Sequence, residues 1–367
     1  MQKILLIILL AGHLLPVHAQ QPPNTCVTAY YAGPAARLDS FATEQLTHLI
    51  FSFGHLQGNR LHIASGADTA CIQKMVSFKT KNQQLKVILS LGGWGGCYSC
   101  SSIFNSADDR KEFALSVKEL SEYFKTDGID IDWEYPAIAG HPGHPYASAD
   151  RKSFTLLLKQ LRKTLGKKQE ISFAAGGFNS FIDSSVQWKK AMHFADKVYL
   201  MSYDLVHGFS TASGHHTPLY STPQQEASAE NAISRILAKK VPAKKIVMGA
   251  AFYARMFLVD DTLQRGLYRP GRFYRGISYA HLYDSISIQK GFVPYWDDSA
   301  QAPYAFNAER KILVTYDDSI SVSRKTQYAL QHKLGGIMFW QLADDAYSNG
   351  LLQVITGTRK KGFPAQK

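Results

Sequence analysis

The most informative segment of this 367-residue sequence reads Asp127-Gly128-Ile129-Asp130-Ile131-Asp132-Trp133-Glu134. Successive side chains of a β-strand point to opposite faces, so Asp130, Asp132 and Glu134 share one face of a strand here. Burying carboxylates costs several kcal/mol each unless they are paired or protonated, so packing alone does not explain three in a row. An edge strand with one wet face is the alternative, but it leaves Trp133 poorly placed. We therefore predict that the carboxylates point into a barrel and that the isoleucines and Trp133 pack outward under helices.

Seven further runs resemble strands buried on both faces, because most lack strict alternation of apolar and polar residues. The eight predicted strands are Cys26–Ala32, Thr47–Phe53, Lys86–Leu91, Gly128–Glu134, Ile171–Ala175, Lys197–Ser202, Lys245–Ala251 and Gly335–Trp340. Strands alternating with helices predict an α/β fold, a (β/α)8 TIM barrel. A doubly wound open sheet is disfavoured, because the first strand is followed by Tyr31-Ala32-Gly33-Pro34 instead of a glycine-rich dinucleotide loop.

Three amphipathic helices are predicted between the strands. The first carries Phe113, Val117, Leu120 and Phe124 on one face, and Ser106 with Asp109 gives it an N-terminal capping signal. The second covers residues 154–165, and the third begins near Pro223 and ends around Lys240.

The predicted barrel occupies residues 20–257 and 317–357, and a segment too long for a loop separates its seventh and eighth strands. We expect residues 258–316 to form a small α+β insertion domain. This segment is rich in Tyr, Phe and Trp, which would fill its core or line a cleft. In a barrel, such an insertion lies on the face where active sites form.

Residues 1–19 have the composition of a signal peptide, with Lys3 before an apolar run and small residues around Ala19. The apolar run is too short to span a bilayer comfortably, so a membrane anchor is the weaker interpretation. Removal near Ala19 would make the protein secreted or periplasmic, and no later segment predicts a membrane span. Residues 358–367 are predicted to form a short basic tail.

The formal net charge is +12, but the basic residues are scattered and no aromatic-interleaved basic stripe is present. This pattern favours a solvated surface with weak affinity for cell walls over nucleic-acid binding.

Cys26, Cys71, Cys97 and Cys100 allow three disulfide pairings, and a signal peptide favours oxidation. Cys97 and Cys100 could also form half of a zinc or redox site, but no second pair of ligands follows at short spacing. We expect the bridges Cys97–Cys100 and Cys26–Cys71.

The sequence resembles glycoside hydrolase family 18, the chitinase family, from about Cys26 to Asp345. Its D-x-x-D-x-D-x-E signature is matched by Asp127, Asp130, Asp132 and Glu134. Other family-like segments are Ser90-Leu91-Gly92-Gly93-Trp94, Met201-Ser202-Tyr203-Asp204, Phe252-Tyr253-Ala254-Arg255 and Gly335-Gly336-Ile337-Met338-Phe339-Trp340. The family usually has Gly where this chain has Ala254.

The resemblance implies substrate-assisted retaining hydrolysis, in which the N-acetyl carbonyl of the sugar is the nucleophile. Glu134 would be the general acid and base, with its proton affinity raised by the charges of Asp130 and Asp132. Asp132 would turn to the acetamide N–H, Asp130 would share a proton with it, and Tyr203 would hold the acetamide carbonyl. No metal or other cofactor is required.

The resemblance also implies a set of substrate-binding residues. Trp340 would form the floor for the distorted sugar, and Trp94 would serve the leaving-group side. The full set is Tyr30, Phe53, Gly92, Gly93, Trp94, Gly95, Tyr135, Met201, Asp204, Tyr253, Arg255 and Trp340. For each aromatic residue alone, a place in the barrel core is an equally good interpretation.

The segments expected to lie near the site also contain several histidines, for which a zinc site is one interpretation. The histidines are His141, His144, His207, His215 and His216. Their spacing matches no helical ligand motif, so we interpret them as loop residues.

The expected partners are chitin or chito-oligosaccharides, bound by a monomer. Three alternatives remain open: a sugar-binding chitinase-like lectin, an endo-β-N-acetylglucosaminidase acting on N-glycans, and an enzyme acting on peptidoglycan. A lectin of this kind typically lacks the glutamate that is present here as Glu134. The N-glycan enzymes usually lack the insertion, and the usual wall-binding repeats of a peptidoglycan enzyme are missing.

Overall fold

The computed structural model describes residues 25–362. The expected signal peptide, residues 1–19, therefore lies outside the described residues. Within residues 25–362, no helix combines the length and the apolar character needed to cross a membrane.

The described chain contains strands in two sheets. In chain order the strands are β1 (Cys26–Tyr31), β2 (His48–Gln57), β3 (Arg60–His62), β4 (Lys86–Gly92), β5 (Gly128–Asp132), β6 (Glu170–Gly176), β7 (Lys197–Met201), β8 (Ile246–Ala251), β9 (Tyr253–Val259), β10 (Gly271–Ser278), β11 (Val293–Asp297), β12 (Ala302–Asn307), β13 (Ile312–Thr315) and β14 (Gly336–Trp340).

The larger sheet is a closed barrel of eight parallel strands. Its order is β1-β14-β8-β7-β6-β5-β4-β2, and β2 pairs with β1 to close the ring. The antiparallel strand β3 extends β2 as a hairpin. The predicted (β/α)8 barrel and its eight strands are confirmed, although β5 ends at Asp132, two residues earlier than expected.

Helices pack around the barrel and beside the second sheet. They are α1 (Gly66–Ser77), α2 (Cys100–Asn105), α3 (Ala107–Phe124), α4 (Asp150–Leu165), α5 (Asn179–Ser184), α6 (Trp188–Phe194), α7 (Ala229–Ala238), α8 (Leu282–Ser285), α9 (Ser319–Gln331) and α10 (Leu351–Lys361). As expected, Ser106 caps α3 by accepting a hydrogen bond from the backbone N–H of Asp109.

Two helix boundaries differ from the sequence-based expectation. Helix α7 begins at Ala229, because Thr222 and Gln225 pair in a turn and Ser228 caps the helix by accepting from the N–H of Asn231. Helix α10 continues to Lys361, so residues 358–361 form a last helical turn instead of a tail. Basic side chains are favourable at that end of a helix.

The two faces of β5 separate as predicted. Ile129, Ile131 and Trp133 are buried in the layer between barrel and helices. The Trp133 ring lies 5.7 Å from Phe104 of α2 and 6.3 Å from Phe154 of α4. The opposite face of β5 therefore points into the barrel.

The smaller sheet lies between β8 and β14 in the chain, where the insertion was expected. It is antiparallel, with the order β10-β9-β13-β12-β11. Its first strand begins at Tyr253, five residues before the expected start at 258. Tyr253 and Arg255 therefore belong to this sheet and not to the end of the seventh barrel strand.

The four cysteines form one disulfide, Cys97–Cys100, as predicted. The expected Cys26–Cys71 bridge is wrong, and both residues are buried free thiols. Cys26 packs inside the barrel in an apolar cluster that includes Tyr30, Tyr199 and Met338, which we call the inner cluster. Cys71 lies on α1 in the outer layer. The barrel wall separates them.

A buried ion cluster closes the N-terminal end of the barrel. Glu170, at the start of β6, lies 3.2 Å from His48 Nε2, 2.7 Å from Lys86 Nζ and 2.8 Å from Lys197 Nζ. Burial alone would raise the pKa of Glu170, but the His48 and Lys197 contacts outweigh burial and hold that pKa well below its usual range. Four strands are thereby connected through one carboxylate.

We expect Glu170→Gln to lower the free energy of unfolding by about 3 kcal/mol, because the remaining cations lose their buried counter-ion. Urea denaturation at pH 7 measures the change, with the exposed Glu122→Gln on α3 as control. The difference should shrink as the pH falls, since a carboxylate with a depressed pKa loses its stabilising contribution on protonation. Equal midpoints for Glu170→Gln and the parent would contradict this role of the cluster.

Candidate active site

Three carboxyl groups follow one another up the inside of the barrel along β5. Asp130 and Asp132 lie on the strand, and Glu134 lies two residues beyond it, at the C-terminal mouth. All three are buried. The structure thus brings together the acidic residues that the sequence placed on one face.

Asp130, the deepest of the three, is held by hydroxyl groups. Tyr30 Oη and Ser90 Oγ donate to its Oδ2 at 2.9 Å and 2.8 Å, and Ser172 Oγ donates to Oδ1 at 2.8 Å. Burial raises the pKa of Asp130 to about 6, against the opposing effect of these hydrogen bonds. The residue is fixed in place by side chains from the two neighbouring strands, β4 and β6, and from β1.

Asp132 is held less tightly. Its Oδ1 is buried and has no hydrogen-bond partner among residues 25–362. Burial, followed by the charges of Glu134 and Asp130, raises the pKa of Asp132 well above its usual range. Asp132 therefore favours its protonated form and keeps an unsatisfied polar atom inside the barrel. The proton shared between Asp130 and Asp132, which the resemblance implies, stays a prediction.

Glu134 has the titration behaviour of a general acid near neutral pH. Burial raises the pKa of Glu134 to about 7, a hydrogen bond with Tyr135 opposes the rise, and the charge of Asp204 adds to it. The sequence analysis attributed the rise to the charges of Asp130 and Asp132. In the structure burial is the largest cause, the charge of Asp204 contributes, and the charge interaction between Glu134 and Asp132 raises the pKa of Asp132.

Tyr203 lies just beyond the end of β7 and is buried against the inner cluster. Its hydroxyl lies 3.8 Å from Met338 Sδ, and its ring contacts that of Tyr253 edge-on at 6.1 Å. Burial, and then the charge of Asp132, raises the pKa of Tyr203 well above its usual range. The hydroxyl therefore stays protonated and able to donate near Asp132.

Asp204 is the one carboxylate of the site that is held in its charged form. It accepts hydrogen bonds from Tyr253 Oη at 2.7 Å and from Arg255 Nη2 at 2.5 Å, and Arg255 Nε also donates to it. The Nδ1 of His216 lies 3.5 Å away. Burial alone would raise the pKa of Asp204, but His216 and Arg255 outweigh burial and hold that pKa below its usual range.

His216 is a site residue that the sequence analysis missed. It lies in a loop together with His215, as predicted, but both side chains are buried. His215 Nε2 lies 3.1 Å from Asp297 in the insertion. A histidine beside an aspartate in the folded chain leaves no signal in sequence spacing, because the two residues meet only through tertiary packing.

An aromatic wall lines the mouth near β1, β2 and β14. The ring of Trp340 stacks on Phe53 with centroids 5.6 Å apart and an interplanar angle of 13°, and Tyr30 lies 5.9 Å from Trp340. The chain passes so close to Phe53 that a Cβ on Gly93 would lie 2.3 Å from its ring, and a Cβ on Gly92 would lie 2.2 Å from the carbonyl oxygen of Asp132. Only glycine fits at these two positions, which adopt positive φ.

Two further predicted binding residues lie in the wall of the inner cluster. Met201 and Tyr253 are partly buried and pack against the buried rings of the barrel interior. The structure therefore brings them into the same packed cluster as Tyr203 and Trp340.

Trp94 lies two residues beyond the end of β4 and is 50% exposed. Its ring lies 6.4 Å from Tyr135, which follows Glu134, and 6.2 Å from Phe209. The exposed Phe209 was not predicted from the sequence. Gly95 continues the chain beneath the ring of His141. Within the described part of the chain, no group of three or more potential ligand side chains is placed to hold a metal ion.

The model of the glycosyl hydrolases family 18 matches residues 26–345. The chain belongs to glycosyl hydrolases family 18. An N-acetylglucosaminidase of family 18 from Paenibacillus barengoltzii superposes with a TM-score of 0.83 and 30% identity, over 91% of this chain and 99% of that protein. The matched range includes every residue of the candidate site.

The sequence of this chain is also similar to those of two curated proteins. Chitinase A1 of Niallia circulans is 30% identical over 75% of this chain and 42% of that protein. Chitotriosidase-1 of Mus musculus is 27% identical over 82% of this chain and 67% of that protein. The chain spans about half the length of several of the curated relatives that it matches.

The interaction between Asp204 and Glu134 predicts that removal of the Asp204 charge changes the pKa of Glu134. We expect Asp204→Asn to lower the pKa of Glu134 by about 1 pH unit, because a nearby negative charge disappears and the charge of Arg255 is left uncompensated. Carboxyl 13C NMR of glutamate-labelled protein measures the titration midpoint. Asp261→Asn, which disrupts the partly exposed pair with Arg269 in the insertion, is the control. An unchanged Glu134 midpoint in Asp204→Asn would refute the coupling.

Proposed function

We propose that this chain is a secreted chitinase that hydrolyses β-1,4-linked N-acetylglucosamine polymers. The observation that carries the proposal is the acidic column in the barrel of a family 18 chain, with Glu134 at the mouth and its pKa raised to about 7 by burial and by Asp204. A carboxyl group with this pKa is protonated often enough at neutral pH to act as an acid and then as a base.

The reaction proceeds in two steps with retention of configuration. In the first, Glu134 gives its proton to the glycosidic oxygen while the N-acetyl carbonyl oxygen of the sugar attacks the anomeric carbon. The bond to the leaving sugar breaks, and a cyclic oxazolinium ion forms. In the second step, Glu134 takes a proton from water, whose oxygen attacks the same carbon and reopens the ring.

Asp132 supports the charged intermediate. Because its buried Oδ1 has no hydrogen-bond partner, rotation of Asp132 toward a hydrogen-bond donor of the substrate is favourable. The acetamide N–H of the sugar is such a donor. As the oxazolinium charge develops, ionisation of Asp132 becomes favourable, and its proton passes to Asp130 below it. Asp130 then serves as the fixed base of the column, held by its three hydroxyl partners.

Tyr203 and the aromatic wall position the substrate. A protonated phenol close to Asp132 can donate to the acetamide carbonyl and hold it in line with the anomeric carbon. Trp340, stacked on Phe53, offers a flat apolar surface to the sugar ring, whose C–H groups are apolar. Arg255 and Asp204 add polar contacts.

The relatives support the substrate class and leave the product pattern open. Two are named chitinase and chitotriosidase, which favours chitin over N-glycans or peptidoglycan. The Paenibacillus relative is named an N-acetylglucosaminidase, so release of single sugars from chain ends is the second candidate. Analysis of products from a hexasaccharide separates internal cleavage from stepwise release.

We expect Glu134→Gln to lower kcat on a chromogenic chito-oligosaccharide by about 1000-fold, because an amide cannot donate the proton that the leaving oxygen needs. Binding of chitotetraose, measured by calorimetry, should persist, since the shape of the side chain is kept. The exposed Glu122→Gln is the matched control. Full activity of the Glu134→Gln enzyme would exclude Glu134 as the acid.

A second expectation concerns the acetamide of the substrate. Cello-oligosaccharides and fully deacetylated chito-oligosaccharides should be cleaved at least about 1000-fold more slowly than chito-oligosaccharides, because they lack the internal nucleophile. Proton NMR of the first products should also report the β-anomer. Cleavage of cellohexaose at a similar rate, or an α-anomer as the first product, would argue against the proposed mechanism.

A further inference from the structure

Four rings form an unbroken row that starts at the mouth of the barrel and leads away from it. The ring of Trp94 lies 5.4 Å from that of His141, which lies 4.6 Å from that of His144, which in turn lies 5.5 Å from that of Tyr98. We call these residues the ring row. Only Trp94 was assigned to the site from the sequence.

The ring row contributes little to the hydrophobic core. Trp94 is 50% exposed and Tyr98 is 64% exposed, and the two histidines are partly exposed. An isolated exposed aromatic residue needs no explanation, but a contiguous group marks an interaction surface. The exposed faces of these rings are apolar surface in contact with water, which is unfavourable. A ligand that covers the rings removes this surface from water and gains the corresponding free energy.

Several local constraints hold the ring row in place. Tyr98 lies within the short loop closed by the Cys97–Cys100 disulfide. His141 lies so close to the backbone that a Cβ on Gly95 would be 3.3 Å from its ring. The backbone N–H of His144 donates to the carbonyl oxygen of His141 at 3.0 Å and closes a turn that contains a proline. A surface that is fixed before binding loses little conformational entropy when it binds.

The histidine rings suit an uncharged ligand. Burial, and then the neighbouring His141, lowers the pKa of His144, so this ring is neutral at neutral pH. Two imidazoles that lie this close disfavour a second charge in any case. A neutral flat ring with N–H and N groups at its edge can face an apolar sugar surface and bond to hydroxyl groups around it.

The position of the ring row identifies its occupant. Trp94 contacts Tyr135, the residue after Glu134, so the row begins next to the proton donor. It then continues through His141 and His144 to Tyr98, whose ring is 64% exposed. A substrate chain that crosses the site and passes Trp94 would next meet His141, His144 and Tyr98.

We propose that the ring row binds further N-acetylglucosamine units of the leaving portion of the chain, beyond the unit that contacts Trp94. This inference rests on the proposed function, because it needs a β-linked sugar chain in the cleft. It predicts that the enzyme favours long chains over short ones, and that Tyr98 and His144 carry this preference.

The test compares long and short ligands in the full chain. The Glu134→Gln variant is the background for binding, and calorimetry gives the dissociation constants of chitohexaose and chitobiose. Adding Tyr98→Ala or His144→Ala should weaken the binding of chitohexaose relative to that of chitobiose by about three- to ten-fold. This is the effect expected for the loss of one stacked ring. Tyr123→Ala on α3 removes an equally exposed ring, at 69%, that lies outside the row, and it should leave the ratio unchanged.

The same substitutions with Glu134 intact provide a second readout. The ratio of kcat/KM for chitohexaose to that for chitotriose should fall in Tyr98→Ala and His144→Ala and not in Tyr123→Ala. Unchanged affinity ratios in both ring-row variants would overturn the proposed role of the ring row. Absence of chitin hydrolysis by the parent would count against the proposed function instead, while the binding ratios would still decide the role of the ring row.

Discussion

The structure depends on the burial of three acidic side chains inside a closed ring of strands. Carboxylates placed at alternate positions of one strand cannot all stay charged without water, so they hold protons that free carboxyl groups would release. The barrel stabilises the deepest, Asp130, with three hydroxyl donors and leaves Asp132 with an unpaired oxygen. The unpaired oxygen of Asp132 lowers the stability of the folded protein. The same unpaired oxygen favours movement of Asp132 toward a ligand that can donate a hydrogen bond.

The same fold lowers the pKa of Asp204 instead of raising it. Arg255, Tyr253 and His216 surround it and keep it charged although it lies among buried groups. Its charge then acts on Glu134 from a different strand end. The site therefore contains one carboxylate, Asp204, whose pKa is lowered, and a column of three carboxyl groups whose pKa values are raised. This contrast follows from the surroundings of each group and not from residue type.

The sequence predicted those features of the fold that follow from periodicity. Alternation along residues 127–134 assigned Ile129 and Trp133 outward and the acids inward, and the strand ends placed Trp94 and Trp340 at the mouth. Contacts between distant segments were beyond it. Cysteine count alone cannot tell that Cys26 and Cys71 lie on opposite sides of the barrel wall. For the same reason, neither the His216–Asp204 contact nor the contact between Tyr98 and His144 is visible in spacing.

The boundary of the smaller sheet has a chemical consequence. Because β9 begins at Tyr253, Tyr253 and Arg255 occupy alternate positions of one strand, and both reach Asp204. Ala254 and Met256 point the other way, into the core. A shift of β9 by one residue would exchange these two sets and remove the donors that keep Asp204 charged. The insertion thus supplies Tyr253 and Arg255 to the site and, through the register of β9, maintains the charge that raises the pKa of Glu134.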